Sequence, residues 1–115
     1  MPVKLDIKKM QKAIKYFEGE HDFKGFKASG TSSKSSVRTI YKAEVKPAEN
    51  GRIFIELTGN GFLYNMVRII AGTLVDVGMG KTEVKEIPDI IKSGDRMRAG
   101  KTLSPNGLFL LRVEY

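Results

Sequence analysis

The chain has 115 residues, a length that suits one domain with a single apolar core and no need of disulfides or metals. Hydrophobic residues make up 41% of it and charged residues 29%, a balance typical of globular proteins rather than disordered chains. The lack of cysteine excludes disulfides, thiolate catalysis and cysteine-based zinc sites, and the single histidine excludes an all-histidine metal site.

The charge balance indicates polyanionic partners. Lys and Arg number 20 against 13 Asp and Glu, which leaves a net charge of +7. Nucleic acid is therefore the first partner to consider. The first ten residues contain no apolar signal-peptide region and no later segment suits a bilayer, so we expect a cytoplasmic protein without membrane association.

The first predicted element is an amphipathic helix from Leu5 to Phe17, with Asp6 as its N-cap and Gly19 as its terminator. Its apolar stripe consists of Ile7, Met10, Ile14 and Phe17. Its other face carries a lysine row, Lys8, Lys9, Lys12 and Lys15. This row either follows phosphates or is simply a solvated helix face.

A short aromatic segment and a polar loop follow this helix. The lone His21 is expected to be a capping or packing residue rather than an acid or base. Residues 27–36 are a loop by composition, because they are rich in Ser, Lys and Gly. Its hydroxyls and lysines, among them Lys34, could contact an RNA backbone, and a plain connector explains the same composition.

Alternating residues then predict a β-hairpin. The first strand runs from Val37 to Lys46, and one of its faces carries Val37, Thr39, Tyr41, Ala43 and Val45. Residues 47–51 form the turn, and the return strand over 52–58 directs Ile53, Ile55 and Leu57 to one side. Arg38 either pairs with Glu56 across the hairpin, which we prefer, or reaches outwards to phosphate.

The most apolar stretch, Phe62 to Val77, predicts a buried core helix that Gly78 ends. It is too short and too interrupted by polar residues to span a bilayer, which needs about 20 apolar residues. Arg68 lies in the middle of this stretch. Because a guanidinium stays charged at any working pH, its burial requires hydrogen-bonded partners, preferably a carboxylate.

One side of the predicted central helix combines polar and small residues, by the spacing of three and four that brings helical neighbours together. They are Tyr64, Asn65, Arg68, Ala71, Gly72 and Val75. The small Gly72 leaves space, one turn beyond Arg68, for a flat group or a close backbone. Two interpretations stay open: a structural Arg68 paired with an acid of this chain and a helix-crossing Gly72, or a functional site.

The last third of the chain predicts a short helix, a basic segment and a strand. Thr82 caps the helix, Pro88 kinks it or resets its start, and Gly94 ends it, with an apolar stripe of Val84, Ile87, Ile90 and Ile91. The segment over 95–102 then concentrates Arg96, Arg98 and Lys101. The strand over 108–115 is apolar on both faces, which predicts a place inside a sheet. Together these elements predict an α+β fold, a mainly antiparallel sheet of three or four strands with helices packed on one face.

Several segments resemble one enzyme family. GNGFLYNMVRIIAGTLVDVGMGK, which begins at Gly59, resembles the third conserved motif of the TruA family of tRNA pseudouridine synthases, which act on the anticodon stem-loop. The resemblance continues, in family order, in HDFKGFKASG, VRTIYKAEV and DRMRAGKTLSPNGLFLLRVEY, and covers nearly the whole chain from about Leu5. The family's catalytic aspartate lies in an Arg-Thr-Asp-Ala-Gly type motif that these residues lack, so 1–115 resembles a C-terminal domain without the N-terminal half.

The resemblance implies half of a pseudouridine synthase fold, which meets the N-terminal half along a continuous sheet with a basic cleft between the halves. It implies isomerisation of uridine in tRNA without a cofactor or metal, a homodimer, and an inactive chain when alone. Arg68 would hold the aspartate of the absent half, with Tyr64 and Asn65 in support, and Thr102 and Pro105 would line the cleft. The further RNA-binding candidates are Gly72, Lys34, Arg38, Arg96, Arg98 and Lys101. The alternatives are a freestanding basic RNA-binding module and a dimerisation domain.

Overall fold

A computed structural model of the protein describes residues 5–27, 35–47, 53–62 and 65–101, together with the backbone of 109–114. The helices are α1 (Ile7–Ile14), α2 (Met66–Gly78) and α3 (Ile87–Ser93). The strands are β1 (Gly19–Asp22), β2 (Val37–Pro47), β3 (Ile53–Gly59) and β4 (Phe109–Glu114). Short 3-10 turns occupy Lys15–Phe17, Lys24–Phe26 and Val84–Glu86. No helix in these ranges is both long and apolar enough to cross a membrane.

The four strands form one sheet in the order β1-β2-β3-β4. β1, β2 and β3 pair antiparallel, and β4 pairs parallel to β3. This arrangement confirms the predicted α+β fold with a mainly antiparallel sheet. The place predicted for the last strand was wrong, since β4 lies at the edge of the sheet that the described residues form. An apolar pattern alone cannot show whether a strand has a neighbour on both sides within its own chain.

The apolar stripe of α1 packs against the sheet and α2, as its spacing predicted. Asp6 caps the helix, because its Oδ1 accepts a hydrogen bond from the backbone N–H of Lys9 at 3.2 Å. Met10, Ile14 and Phe17 are fully buried. Phe17 meets Phe26 edge to face with ring centroids 5.4 Å apart, so the aromatic segment covers the end of the helix.

The core lies between the three helices and one face of the sheet. The strand residues that enter it are Ile40, Ala43, Val45, Ile53, Ile55 and Leu57. The predicted inward side of the return strand is therefore confirmed. The opposite face of the hairpin carries charged residues, among them Lys42, which lies 3.7 Å from Glu56. Among the described residues, helices thus cover one face of the sheet.

A β-bulge changes the predicted faces of β2. The register shifts between Ile40 and Lys42, so Ile40 is 1% exposed and Tyr41 is 63% exposed. The face predicted to run from Val37 through Tyr41 to Val45 was therefore wrong, because an extra residue moves the preceding side chains to the other side. The predicted pair of Arg38 with Glu56 was also wrong. Arg38 lies opposite His21 in β1, and Glu56 lies opposite Glu44.

The start of α2 and the start of the turn that follows it differ from the sequence prediction. α2 begins at Met66 rather than Phe62, because Asn65 takes a left-handed conformation with φ 59° and precedes the first helical turn. α2 does end at Gly78, but the left-handed residue behind it is Gly80, with φ 80°. Glu83, not Thr82, caps the next turn in a capping box with Glu86. Gly94 ends α3 as predicted, with φ 62°.

Candidate functional site

Arg68 lies in the first turn of α2, on the one side of this helix that the core leaves partly open. Its neighbours Ile69, Ile70 and Ala71 are fully buried, whereas Arg68 itself is half-buried. The prediction of a deeply buried guanidinium in the middle of a helix was therefore wrong. The helix starts later than its apolar run, and this places Arg68 at an end of α2 with access to solvent.

The guanidinium of Arg68 has no ion pair and no hydrogen bond with any residue whose position the structure gives. The acid on the same helix, Asp76, lies eight residues further along, which is about 12 Å along the axis. That separation is too long for an ion pair. Arg68 is thus a permanent cation on a core helix, and no acid in the described ranges neutralises it.

The N-terminus of α2 itself favours an anion. Its first backbone N–H groups have no partner within the helix, and Asn65 makes no side-chain capping bond to them. The helix dipole adds roughly half a positive charge at this end. Because helical side chains lean towards the N-terminus, Arg68 adds its own charge to the same region. An anion that approached this end of α2 would meet both.

A close backbone contact fills the space beside Gly72. A Cβ atom at Gly72 would overlap the carbonyl oxygen of Lys101, and a Cβ atom at Gly100 would lie 2.7 Å from the carbonyl oxygen of Gly72. The two backbones therefore touch, one helical turn beyond Arg68. Of the two occupants suggested by the sequence, a flat group or a close backbone, the structure has the backbone.

A buried threonine stabilises the contact between α2 and the backbone around Gly100. Thr73 is 1% exposed, and its hydroxyl donates to the carbonyl oxygen of Ile69 at 2.9 Å and accepts from the N–H of Gly100 at 2.8 Å. Nη1 of Arg96 donates to the carbonyl oxygen of Gly100 at 2.7 Å. Sequence reasoning missed Thr73 and Gly100. A hydroxyl on an otherwise apolar helix face was the available signal, since a buried hydroxyl needs a partner.

The segment between α3 and Gly100 presents cations to solvent. The N–H of Met97 donates to Oδ1 of Asp95 at 2.9 Å, and the N–H of Arg98 donates to the backbone carbonyl oxygen of Asp95 at 3.1 Å. This turn leaves Met97 89% exposed, with Arg98 exposed beside it. Lys101 is exposed at the other end of the segment. Of the three cations predicted here, Arg96 bonds within the segment, and the other two face water.

Arg38 lies close to Gly61, two residues after the end of β3. Its Nη1 donates to the carbonyl oxygens of Ser35 at 2.8 Å and Val37 at 2.7 Å. Its Nε lies 3.4 Å from the position that a Cβ atom would take at Gly61. The Arg38 side chain therefore bonds to backbone at the start of β2 and packs near Gly61.

The remaining candidates have local roles or lie outside the described residues. His21 contacts the carbonyl oxygen of Glu18 through Nε2 at 2.9 Å, and its ring packs against Phe23. Asn65 is half-buried before α2. Lys34, Tyr64, Thr102 and Pro105 lie outside the described residues. Within those ranges, no group of three or more His, Asp or Glu side chains is placed to hold a metal ion.

Comparison with known proteins assigns the chain to a class of RNA-modifying enzymes. A family model described as tRNA pseudouridine synthase matches residues 13–115. The chain belongs to the tRNA pseudouridine synthase family.

Its relatives include proteins named tRNA pseudouridine synthase A. The one from Ruminiclostridium cellulolyticum is 56% identical over 111 residues, which are 96% of this chain and 45% of that protein. The one from Caldicellulosiruptor bescii is 52% identical over 114 residues, 99% of this chain and 46% of that protein. The one from Acetivibrio thermocellus is 52% identical over 112 residues, which are 97% of this chain and 46% of that protein. The chain thus spans about half the length of the curated relatives that it matches.

Proposed function

We propose that this chain is the C-terminal half of an enzyme that isomerises uridine to pseudouridine in the anticodon stem-loop of tRNA. Family membership supports the reaction and the substrate class. The relatives are about twice as long, and no Arg-Thr-Asp-Ala-Gly type string occurs in these 115 residues. Both facts support a catalytic aspartate that belongs to another half of the enzyme.

In the proposed reaction, that aspartate breaks the bond between uracil and ribose. The detached uracil rotates and rejoins the ribose through carbon, so no atom is gained or lost and no cofactor is required. The target base must first leave its stack to reach the aspartate. This chain contributes the groups that hold the aspartate and the RNA in place.

The observation that carries the proposal is the half-buried Arg68 guanidinium without a partner among the described residues. A carboxylate from the other half would form parallel N–H···O bonds with it, which are both strong and directional. The positive end of α2 would stabilise the same carboxylate. Arg68 would thereby position the aspartate and lower its pKa, which keeps it ionised.

The contact of Gly72 with the Gly100 backbone extends the proposed site. It holds the exposed cations Arg98 and Lys101 on a segment that is fastened to α2 by Thr73. Such cations would contact the phosphates of the tRNA. Tyr64, Asn65 and Thr102 are proposed as supporting groups, on the basis of the family resemblance.

The freestanding RNA-binding module is the weaker alternative. In such a module an acid of the same chain should neutralise Arg68, and the described ranges contain no such pair. A dimerisation role is a separate question, because the homodimer expected from the family can exist with either function. Light scattering of the purified chain measures its oligomeric state directly.

Activity assays with the separated halves test the proposal. The chain alone should form no pseudouridine in tRNA, and addition of a separately produced N-terminal half should restore the reaction. Arg68→Gln should lower the restored rate by roughly 100-fold or more, the effect of leaving one buried partner of an ion pair uncompensated. Lys42→Gln removes the same charge from the outer face of the sheet and should leave the rate unchanged. Pseudouridine formation by the chain alone would contradict the proposal.

A further inference from the structure

A basic groove lies on the exposed side of α1, away from Arg68. One cavity of about 590 Å³ lies between α1 and the segment that follows α2. A second cavity of about 460 Å³ shares Lys12, Tyr16 and Val84 with it, so the two form one continuous groove. Its lining includes Lys9, Lys12, Lys15, Tyr16, Val84 and Lys85. Three members of the lysine row predicted from the sequence, Lys9, Lys12 and Lys15, therefore line a concave surface, and Lys8 does not.

Tyr16 is the unusual residue of this groove. It belongs to the turn Lys15–Phe17, in which Phe17 is fully buried and Tyr16 is 45% exposed. Its neighbours in the groove are lysine side chains and Val84. A tyrosine ring that is half exposed among lysines offers a flat surface for stacking.

Most of the charge in the groove is available to a ligand. In the described part of the chain, Lys9 and Lys12 form no ion pair. Lys85 pairs with Glu83 at 3.3 Å, and Lys15 pairs with Glu18 at 3.3 Å. Both pairs are solvent-exposed, and exposed pairs are weak enough to open when a polyanion approaches. Glu83 is the acid in the lining, so the groove has a net positive charge.

We infer that this groove binds single-stranded RNA, with one unstacked base on the ring of Tyr16 and the adjacent phosphates on the lysines. Positive grooves with an aromatic platform are the usual way in which proteins hold single strands without reading sequence. A duplex would present only its phosphates here, because its bases are stacked on one another. The inference therefore favours a loop or an end over a paired stem.

The groove is separate from the proposed catalytic region. Gly80 and Thr82, which line the groove, follow the C-terminal end of α2 at Gly78. The backbone N–H of Asp6 donates to the carbonyl oxygen of Gly78 at 3.0 Å, so the start of α1 lies at the same end. Arg68 lies ten residues before Gly78, which is about 15 Å along the helix axis. RNA binding in the groove requires neither Arg68 nor isomerisation, so it goes beyond the proposed function and can fail or succeed independently.

Fluorescence anisotropy with a labelled single-stranded oligouridylate and a paired RNA duplex of the same length tests the inference on the purified chain. The single strand should bind more tightly than the duplex. Tyr16→Leu should weaken single-strand binding by at least about fivefold, the lower end of base–aromatic stacking, and leave duplex binding unchanged. Lys9→Gln with Lys12→Gln should reduce the dependence of log Kd on log salt by about 1.4, or about 0.7 per lost phosphate contact.

A matched control separates the groove from net charge. Lys24→Gln with Lys42→Gln removes the same two charges from residues that do not line the groove, and should change single-strand binding much less. Equal losses in the two double variants, an unchanged affinity in Tyr16→Leu, a preference for the duplex, or no binding by the unmodified chain would each overturn the inference. Thermal unfolding of every variant verifies that the fold is intact.

Discussion

Replacement of Thr73 by valine should loosen the segment around Gly100 from the core helix. The change preserves the shape of the side chain and removes only its hydroxyl. The N–H of Gly100, which donates to that hydroxyl at 2.8 Å in a buried position, then has no acceptor. A buried donor without a partner costs about 1–3 kcal/mol, so we expect a loss of about 2 kcal/mol in the free energy of unfolding. The additional methyl group recovers only a small part of this.

Urea denaturation and amide hydrogen exchange of the purified chain measure this effect. A loss of about 2 kcal/mol should lower the urea midpoint by roughly 1 M, given the usual slopes for small domains. Thr73→Ser is the matched control, because it keeps the hydroxyl and loses a buried methyl group, at a cost of about 1 kcal/mol. Exchange of the Gly100 amide should accelerate strongly in the valine variant and much less in the serine variant. Equal Gly100 exchange in the two variants would refute the role assigned to the hydroxyl.

Two further predictions concern close packing and pH. Gly72→Ala should destabilise the chain by about 1–3 kcal/mol, because its methyl group meets the Lys101 carbonyl. Gly78→Ala meets the ends of the Met10 and Leu5 side chains instead of a backbone, and should cost less. A gain in stability, as at an open helix position, would contradict this. The Lys46 ammonium, bonded to Glu44 at 3.1 Å, lowers the Glu44 pKa. This stabilisation is present above the carboxyl's ordinary pKa and is lost as pH falls through the lowered value. Because Lys42 and Lys15 also lower this pKa, Lys46→Met should reduce the loss of stability over that acid range without abolishing it, as measured by unfolding at a series of pH values.

The elements that the sequence predicted well are those with a strong local period. The stripe of α1, its Asp6 cap and the buried side of β3 follow from spacing and capping chemistry within a few residues. The same holds for the end of α3 at Gly94, where a left-handed residue is needed. Local signals of this kind do not depend on the rest of the fold.

The features that the sequence missed depend on contacts between distant parts of the chain. Tyr41 belongs to an alternating run, and only the pairing with β3 shows the bulge that exposes it. The bond of Thr73 to Gly100 joins residues 27 positions apart. The half-exposed state of Arg68 follows from the late start of α2, which a left-handed Asn65 sets. An apolar run cannot reveal such a boundary, since apolar residues also occur in the turn before a helix.

The pH dependence of pseudouridine formation by the assembled halves tests the central claim most directly. If Arg68 holds the aspartate of the other half, its guanidinium lowers the pKa of that carboxyl, so the enzyme stays active into mildly acidic solution. Arg68→Gln should then move the acidic limb of the rate profile upwards by about 1–3 pH units, and Arg68→Lys should restore part of the shift. A variant with a lower rate and an unmoved acidic limb would contradict the proposed pairing of Arg68 with the catalytic aspartate.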